Sequence, residues 1–380
     1  ASGGKVLDPE HLSVPSSTVA HALHRLAGLQ KNESNHLINT ASPSGMPQRS
    51  MHVSTATPDR PKLRAHAQPS LTCDGSEMTT AGQLRVSARF ADGEIRDLAV
   101  DLQRPSVARL FVGQLPDVVI KTVPYLFTLC SHAQRAAAQA AVNAALGEIP
   151  RPPEQEALWL EVLHENLWRL LLDWPVAVGL PPAREAFIAW RALRQDAGCV
   201  AQTRDLVAQT LRPLAAACSE RLAVATGDVA ASTPAPVSRL DAEAWLAYWR
   251  GEVVELPPLP VPASVLAAYR ARLAEVETAV AALAGRLPFP IVRAGSAGWG
   301  VGQTLTARGR LTHAVHVVDG RVARYRVQAP TDGFFADAAA LAALLANRRF
   351  VGLDQARQAL DQAILALDPC LPYTLEVHDA

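Results

Sequence analysis

Thiols are the groups in this sequence best suited to hold a soft metal, and their spacing limits how they can do it. The 380-residue chain has five cysteines, Cys73, Cys130, Cys199, Cys218 and Cys370. No two form a C-x-x-C pair, and five scattered thiols are too few for a disulfide framework. Any metal site must therefore draw its ligands from distant segments. His132, His164, His313, His316 and His378 form no H-E-x-x-H pattern, and no triad spacing, nucleophile elbow or P-loop occurs. Each histidine reads as solvated or structural. The run Gly295-Ser296-Ala297-Gly298-Trp299-Gly300-Val301-Gly302 has the glycine content of a phosphate cradle. Such a cradle follows a strand and opens a helix; this run leads into a hairpin pattern and reads as a glycine turn. Trp159, Trp168, Trp174, Trp190, Trp245 and Trp249 fit helical spacing, as core or as a protein-binding face.

The elements that must position these groups follow from composition and periodicity. Lys+Arg and Asp+Glu both number 36, so net charge is zero and the basic footprint of a nucleic-acid partner is missing. With 49% hydrophobic and 19% charged residues, the chain can bury a substantial core. The most apolar stretch, 157–179, is interrupted by Glu161, His164, Glu165, Arg169 and Asp173, so membrane insertion is not expected, and no targeting segment is read. The expected setting is the cytoplasm, with reduced thiols. Residues 1–77, rich in Ser, Thr, Pro, His and Asn, are expected to be disordered. Met78 marks the start of a folded domain over 78–380.

Within that domain, alternation from Leu84 to Val100 around Asp92-Gly93, and again from Leu311 to Val327 around Asp319-Gly320, predicts two hairpins. Helices are predicted over 125–146, 153–173, 182–197, 201–224, 239–250, 262–285, 336–346 and 353–366. Pro257, Pro258, Pro260 and Pro262 form a stiff connector. The fold class is α+β: a mostly helical bundle bracketed by two small β-hairpins.

Two segments carry a resemblance. Tyr125-Leu126-Phe127-Thr128-Leu129-Cys130-Ser131-His132-Ala133 opens an Ala-rich helix, and Asp368-Pro369-Cys370-Leu371-Pro372-Tyr373 stands near the C-terminus. Between them lie Ala307-Arg308-Gly309-Arg310-Leu311-Thr312-His313 and Pro330-Thr331. In this order the chain resembles the large subunit of nickel–iron hydrogenases, whose signatures are R-x-C-G-x-C, P-R-G-x-L-x-H and a terminal D-P-C-x-x-C-x-x-H. The departures are informative. Cys130 and Cys370 are kept, but Phe127 and Tyr373 replace their partner cysteines, Tyr125 replaces the arginine, and Glu376 replaces the last histidine. The proton-exit segment R-G-x-E falls on Pro105-Ser106-Val107-Ala108, which has no acid. Gly113 is kept, whereas Gln114 replaces the arginine that follows it in the family. The sequence ends four residues after Glu376, so a tail removed on maturation is not expected.

With one thiolate left from each pair, the resemblance implies no nickel and no hydrogenase activity. It points to the HupK/HoxV group of accessory proteins, similar to shortened large subunits. What that implies is a scaffold in which Cys130 and Cys370 hold an Fe(CN)2(CO) fragment, with Arg308 donating to a cyanide nitrogen. The fragment would come from a HypC-type chaperone or HypC–HypD-type complex and pass to the apo-hydrogenase large subunit. Soft thiolates suit a low-spin iron, and the start of a helix favours the thiolate of Cys130. Two alternatives stay open. Cys130 and Cys370 are core residues of a cofactor-free structural homologue, an interaction subunit of a hydrogenase or respiratory-type complex; or the two form a disulfide. Cys73, Cys199 and Cys218 read as structural.

Overall fold

The computed structural model describes residues 82–379 apart from 106, 150–151, 197, 227–238 and 256–258. The extension expected over 1–77, with Cys73, and the connector prolines Pro257 and Pro258 lie outside the described residues, as does Met78.

The first predicted hairpin forms as β1 (Gln83–Ala91) and β2 (Glu94–Gln103). Asp92 and Gly93 both take positive φ, 51° and 78°, the geometry that matches a two-residue turn to strand twist. Leu84, Val86 and Ala88 face inward and are buried. A 3-10 turn, Val107–Phe111, leads to α1 (Pro116–Leu126) and α2 (Ser131–Leu146). The single helix predicted over 125–146 is thus two pieces. Pro124 lies in the last turn of α1, where it cannot donate to the preceding turn, and the chain leaves the helix at Phe127. The break puts Cys130 at the N-cap of α2. At its other end α2 stops at Gly147, in the left-handed region (φ 68°), with the Glu148 amide bonding the Asn143 carbonyl at 2.8 Å.

The helical middle follows as α3 (Gln155–Trp168), a π-turn Arg169–Asp173 and α4 (Trp174–Ala177), then α5 (Arg184–Leu193), α6 (Cys199–Leu206), a second π-turn Val207–Leu211, α7 (Arg212–Thr226), α8 (Ala242–Arg250) and α9 (Val265–Gly285). Asp241 and Ser264 cap α8 and α9 by accepting from the amides of Ala244 and Ala267 at 3.0 and 3.1 Å. Trp174, Trp190, Trp245 and Trp249 are core, as one of the two sequence readings had it.

The second predicted hairpin is half of a four-stranded antiparallel meander, β3 (Ile291–Ser296), β4 (Trp299–Thr306), β5 (Gly309–Val318) and β6 (Arg321–Gln328). After α10 (Pro330–Phe334), α11 (Ala339–Leu345) and α12 (Leu353–Leu367), the chain ends in β7 (Tyr373–Asp379). β7 pairs parallel to β1, giving the order β2-β1-β7. That strand was not predicted: a parallel partner so far back in the chain leaves no local signal. The α+β class stands, with small sheets in place of hairpins.

The glycine-rich run is neither a cradle nor merely a turn. Gly300 and Gly302 belong to β4 and Gly295 to β3, and α2 lies across them. A Cβ on Gly302 would sit 2.2 Å from the Ala137 carbonyl oxygen, and one on Gly300 2.1 Å from that of Ala141. Alanines on the helix and glycines on the sheet permit this close approach, which fixes where Cys130 begins the helix. Gly302→Ala would push two backbones apart, and a loss of about 1–3 kcal/mol in urea unfolding is expected. The opposite face of the sheet packs Val301 and Ala314 against Trp245 and Trp249 of α8. Among the described residues no helix is long and apolar enough to cross a membrane.

Candidate cofactor-fragment site

Four segments distant in sequence converge: the end of β2, the start of α2, the β4–β5 turn, and the loop between α12 and β7. Each brings a polar side chain to one place because of a local feature of the backbone.

α12 ends on Asp368, in the left-handed region with φ 47°, and Pro369 prevents the helix from resuming. Cys370 follows directly. Its amide donates to Thr331 Oγ1 at 3.1 Å. Its sulfur lies 3.2 Å from the Thr331 hydroxyl and 2.8 Å from Nη2 of Arg104. Cys130, at the start of α2, has Gln134 Nε2 at 3.5 Å from its sulfur. Both cysteines are half-buried free thiols, close enough that charge on Cys370 raises the pKa of Cys130. The disulfide alternative is not what the structure contains.

The expectation that the helix start favours the Cys130 thiolate is overturned. Burial pushes this thiol up to about 12, with Glu161 and Cys370 adding to the rise and Arg308 and Gln134 opposing it. The leading amides of α2 serve another group: those of His132 and Ala133 donate to the Glu161 carboxylate at 2.8 and 3.0 Å. Even so, burial raises Glu161 to about 7.

Arg308, the third residue the resemblance singled out, comes to the same place. It occupies the two-residue turn between β4 and β5, its amide bonded to Thr306 Oγ1 at 3.1 Å. The side chain is 3% exposed. Nη2 donates to Glu165 at 2.9 Å and Nε lies 3.3 Å from Asp368, while Nη1 is buried with no hydrogen-bond partner among the described residues. An orphaned guanidinium donor is costly to bury, and this one belongs to a group whose charge is coupled to both thiols.

Beneath the site, fully buried Asp368 takes Arg169 Nε at 2.8 Å and Arg272 Nη2 at 2.8 Å in addition to Arg308. Burial alone would raise the Asp368 carboxyl, but Arg308, Arg169 and Arg272 together hold it far below the usual range. The π-turn after α3 supplies Arg169. Arg272 also donates to Asn166 at 3.0 Å and to the Ala307 carbonyl at 3.3 Å, tying the Arg308 turn to the helices.

A neutral chain supports the other thiol. Buried His313 meets Tyr325 OH through Nδ1 at 2.5 Å and Gln134 Oε1 through Nε2 at 2.7 Å. With Tyr325 donating to Nδ1, the Nε2 proton is given to Gln134, whose amide nitrogen then faces Cys130. Burial lowers the His313 pKa from 6.5 to about 3. An unfolded chain binds this proton near 6.5, so between pH 6.5 and 3 the unfolded state holds more protons and stability falls as pH falls. The slope expected from this residue is about 1.4 kcal/mol per pH unit. Urea unfolding of His313→Gln at pH 7 and pH 5 should show a shallower pH dependence than the parent; an equal slope would contradict the assignment.

Other residues singled out by the resemblance lie elsewhere. Phe127 packs with the cluster between α1, α2 and the meander, Tyr125 is 53% exposed, and Tyr373 donates to Asp361 at 2.5 Å. Glu376 is exposed on β7. Cys199 and Cys218 are buried among helices. Among the described residues, no group of three or more His, Cys, Asp or Glu side chains is arranged to hold a metal ion. Sequence reasoning missed Arg104, Gln134 and Glu161. Glu161 registered only as a charge breaking an apolar run, and nothing local distinguishes Arg104 or Gln134.

No family model matches the chain. The hydrogenase expression/formation protein HupK of Azotobacter vinelandii is 32% identical over 343 residues, 79% of this chain and 100% of that protein. HupV of Azotobacter chroococcum mcd 1 is 30% identical over 342 residues, with 79% and 100% covered. HoxV of Cupriavidus necator is 26% identical over 385 residues, covering 80% and 98%. Among solved structures, the reduced, active Ni-Fe-Se hydrogenase of Desulfomicrobium baculatum superposes with a TM-score of 0.52 at 10% identity, covering 74% of this chain and 95% of that one. The Ni-Fe-Se hydrogenase of D. vulgaris Hildenborough gives 0.50 at 14%, covering 74% and 94%. Those two likenesses establish the fold, and the closer sequences establish the kinship: the chain belongs to the HupK/HoxV family of hydrogenase expression/formation proteins, built on the large-subunit fold of nickel–iron hydrogenases.

Proposed function

We propose that this protein is a non-catalytic carrier in hydrogenase maturation that holds the Fe(CN)2(CO) fragment as cargo between Cys130 and Cys370. The fragment arrives from a HypC-type chaperone or HypC–HypD-type complex and leaves for the apo-hydrogenase large subunit. The observation that carries the reading is the convergence of two free thiols around a buried Arg308 whose Nη1 has no partner. A bare ion would find too few ligands here, whereas an iron that brings its own diatomic ligands needs few protein bonds. Two soft thiolates suit it. The spare Nη1 donor suits a cyanide nitrogen as a charge-assisted acceptor.

Carrier function also fits a site weaker than the destination. Transfer is ligand exchange, from the two thiolates here to the cysteines of the recipient. Unloading returns a proton to Cys130, whose thiol is strongly favoured in the protein without cargo, and metal release is coupled to protonation in this way generally. The test is infrared spectroscopy on anaerobically purified protein, with metal analysis. Cyanide and carbonyl stretching bands with iron and without nickel are expected; their absence from protein isolated beside a functioning assembly system would reject the carrier role.

A further inference from the structure

Arg104 is the group on this site that no motif marks. It stands at the end of β2, separated from Cys370 by 266 positions, yet Nη2 donates to the Cys370 sulfur at 2.8 Å. That is the shortest hydrogen bond to either thiol of the site. The side chain is steered there by Asp332, 3.2 Å from Nε, and Asp332 is itself fixed at the start of α10, where it accepts from the Ala329 amide at 2.8 Å. Thr331, beside Asp332, gives Cys370 its second donor. The two arginines of the site differ in setting. Arg308 is sealed in at 3% exposure, whereas Arg104 is 24% exposed. Burial disfavours the Arg104 charge, but the negative charges available on Cys370, Asp332 and Cys130 favour it more.

We infer that Arg104 is a retention residue of the site, donating to the Cys370 sulfur while cargo is held and setting how fast the cargo leaves. The inference rests on the carrier reading above. Ferrous iron with two cyanides and two thiolates is dianionic, and Arg308 is already engaged by Glu165 and Asp368. Among the described residues Arg104 has a single carboxylate partner, Asp332, so it is the less fully neutralised cation in contact with the Cys370 sulfur. A guanidinium bond to a thiolate draws electron density from sulfur. Its removal makes sulfur the stronger donor and lowers the carbonyl stretching frequency of the iron it binds.

The experiment uses the full chain, loaded in cells with the assembly system and purified anaerobically, as wild type, Arg104→Gln and Arg104→Lys. Infrared bands are recorded, and iron retention is followed during dialysis. A charge-assisted hydrogen bond is worth about 1.5–3 kcal/mol, so Arg104→Gln is expected to lose iron about 10- to 100-fold faster, with its carbonyl band at lower wavenumber. Arg104→Lys, which keeps the charge but not the planar fork, should fall between the two and guards against a fold defect in the glutamine variant. Bands and half-lives identical to wild type in both variants would overturn the retention role. A wild-type protein without bands overturns the carrier reading itself and the retention role with it, a different outcome from unchanged variants of a loaded protein.

Discussion

Cys370→Ala, purified anaerobically beside an intact assembly system, is expected to lack the cyanide and carbonyl bands of the parent and to contain almost no iron. Cys130→Ala is expected to do the same. The size of the effect follows from ligand count. Loss of an outer-shell partner commonly costs 10- to 100-fold in metal affinity, and here one of only two protein bonds disappears, so retention should fall by more than about 100-fold. Serine variants should fail equally, because a hard hydroxyl is a poor match for a low-spin iron. Stability separates this from a folding defect. Each cysteine is half-buried as a residue, and the donors to Cys370 have other partners: Arg104 keeps Asp332, and Thr331 Oγ1 keeps the residue-370 amide. Thermal unfolding of either alanine variant should therefore stay within about 1 kcal/mol of the parent. Bands that persist in both variants would remove the cysteines from the site and leave them as apolar packing.

Asp368→Ala is expected to damage the fold itself. The carboxylate is fully buried and contacts Arg169, Arg272 and Arg308. Removing it leaves guanidinium charge in a low-dielectric setting where repulsion replaces attraction. Breaking a buried pair costs about 3–5 kcal/mol, and with three arginines sharing one acid the loss should reach at least the upper part of that range. Denaturant unfolding would measure it; a loss below about 1 kcal/mol would mean that water or a rearranged acid neutralises the arginines. The pH dependence has a definite sign. In the unfolded chain Asp368 titrates near 3.8, and in the fold it titrates lower. Its contribution is therefore fully present above the unfolded value and is lost as pH falls below it toward the folded one. His313 adds acid lability between pH 6.5 and 3, so the protein should weaken in two steps on acidification, His313 first.

The network also explains how the site keeps its shape. Arg308 cannot move without losing its contacts to Glu165 and Asp368, and Asp368 is the residue that turns the chain into Pro369 and Cys370. The ion network therefore holds the C-terminal thiol and Arg308 in one rigid piece. Cys130 is set independently, by the seating of α2 on Gly300 and Gly302.

Much of this was legible in the residues. Alternation around Asp92-Gly93 and Asp319-Gly320 predicted turns that exist, and the apolar periodicity found most of the longer helices to within a few residues, though not α1 or the break between it and α2. Two half-retained motifs pointed to Cys130 and Cys370, and the Ala307–His313 segment between them to Arg308. Those signals are local: a turn, a period or a motif is written in neighbouring residues. Three things were not local. The parallel pairing of β7 with β1 joins the two ends of the described chain. The glycine run could be understood only once α2 was seen against it. Arg104 reaches its sulfur only because β2, α10 and the Cys370 loop meet.

The protonation state of Cys130 was the clearest reversal. Its position at a helix start is a sequence feature, and taken alone it favours thiolate. The fold sends those amides to Glu161, draws the sulfur out of water and places Glu161 and the Cys370 thiol near it, so the neutral thiol prevails. By itself the sequence determined the family, the class of fold and which two thiols stand in the motifs that carry the resemblance, because these depend on residue identity and order. Only the tertiary structure decided which charges surround those thiols, because desolvation and Coulomb energies depend on distances between segments that the order of residues does not contain.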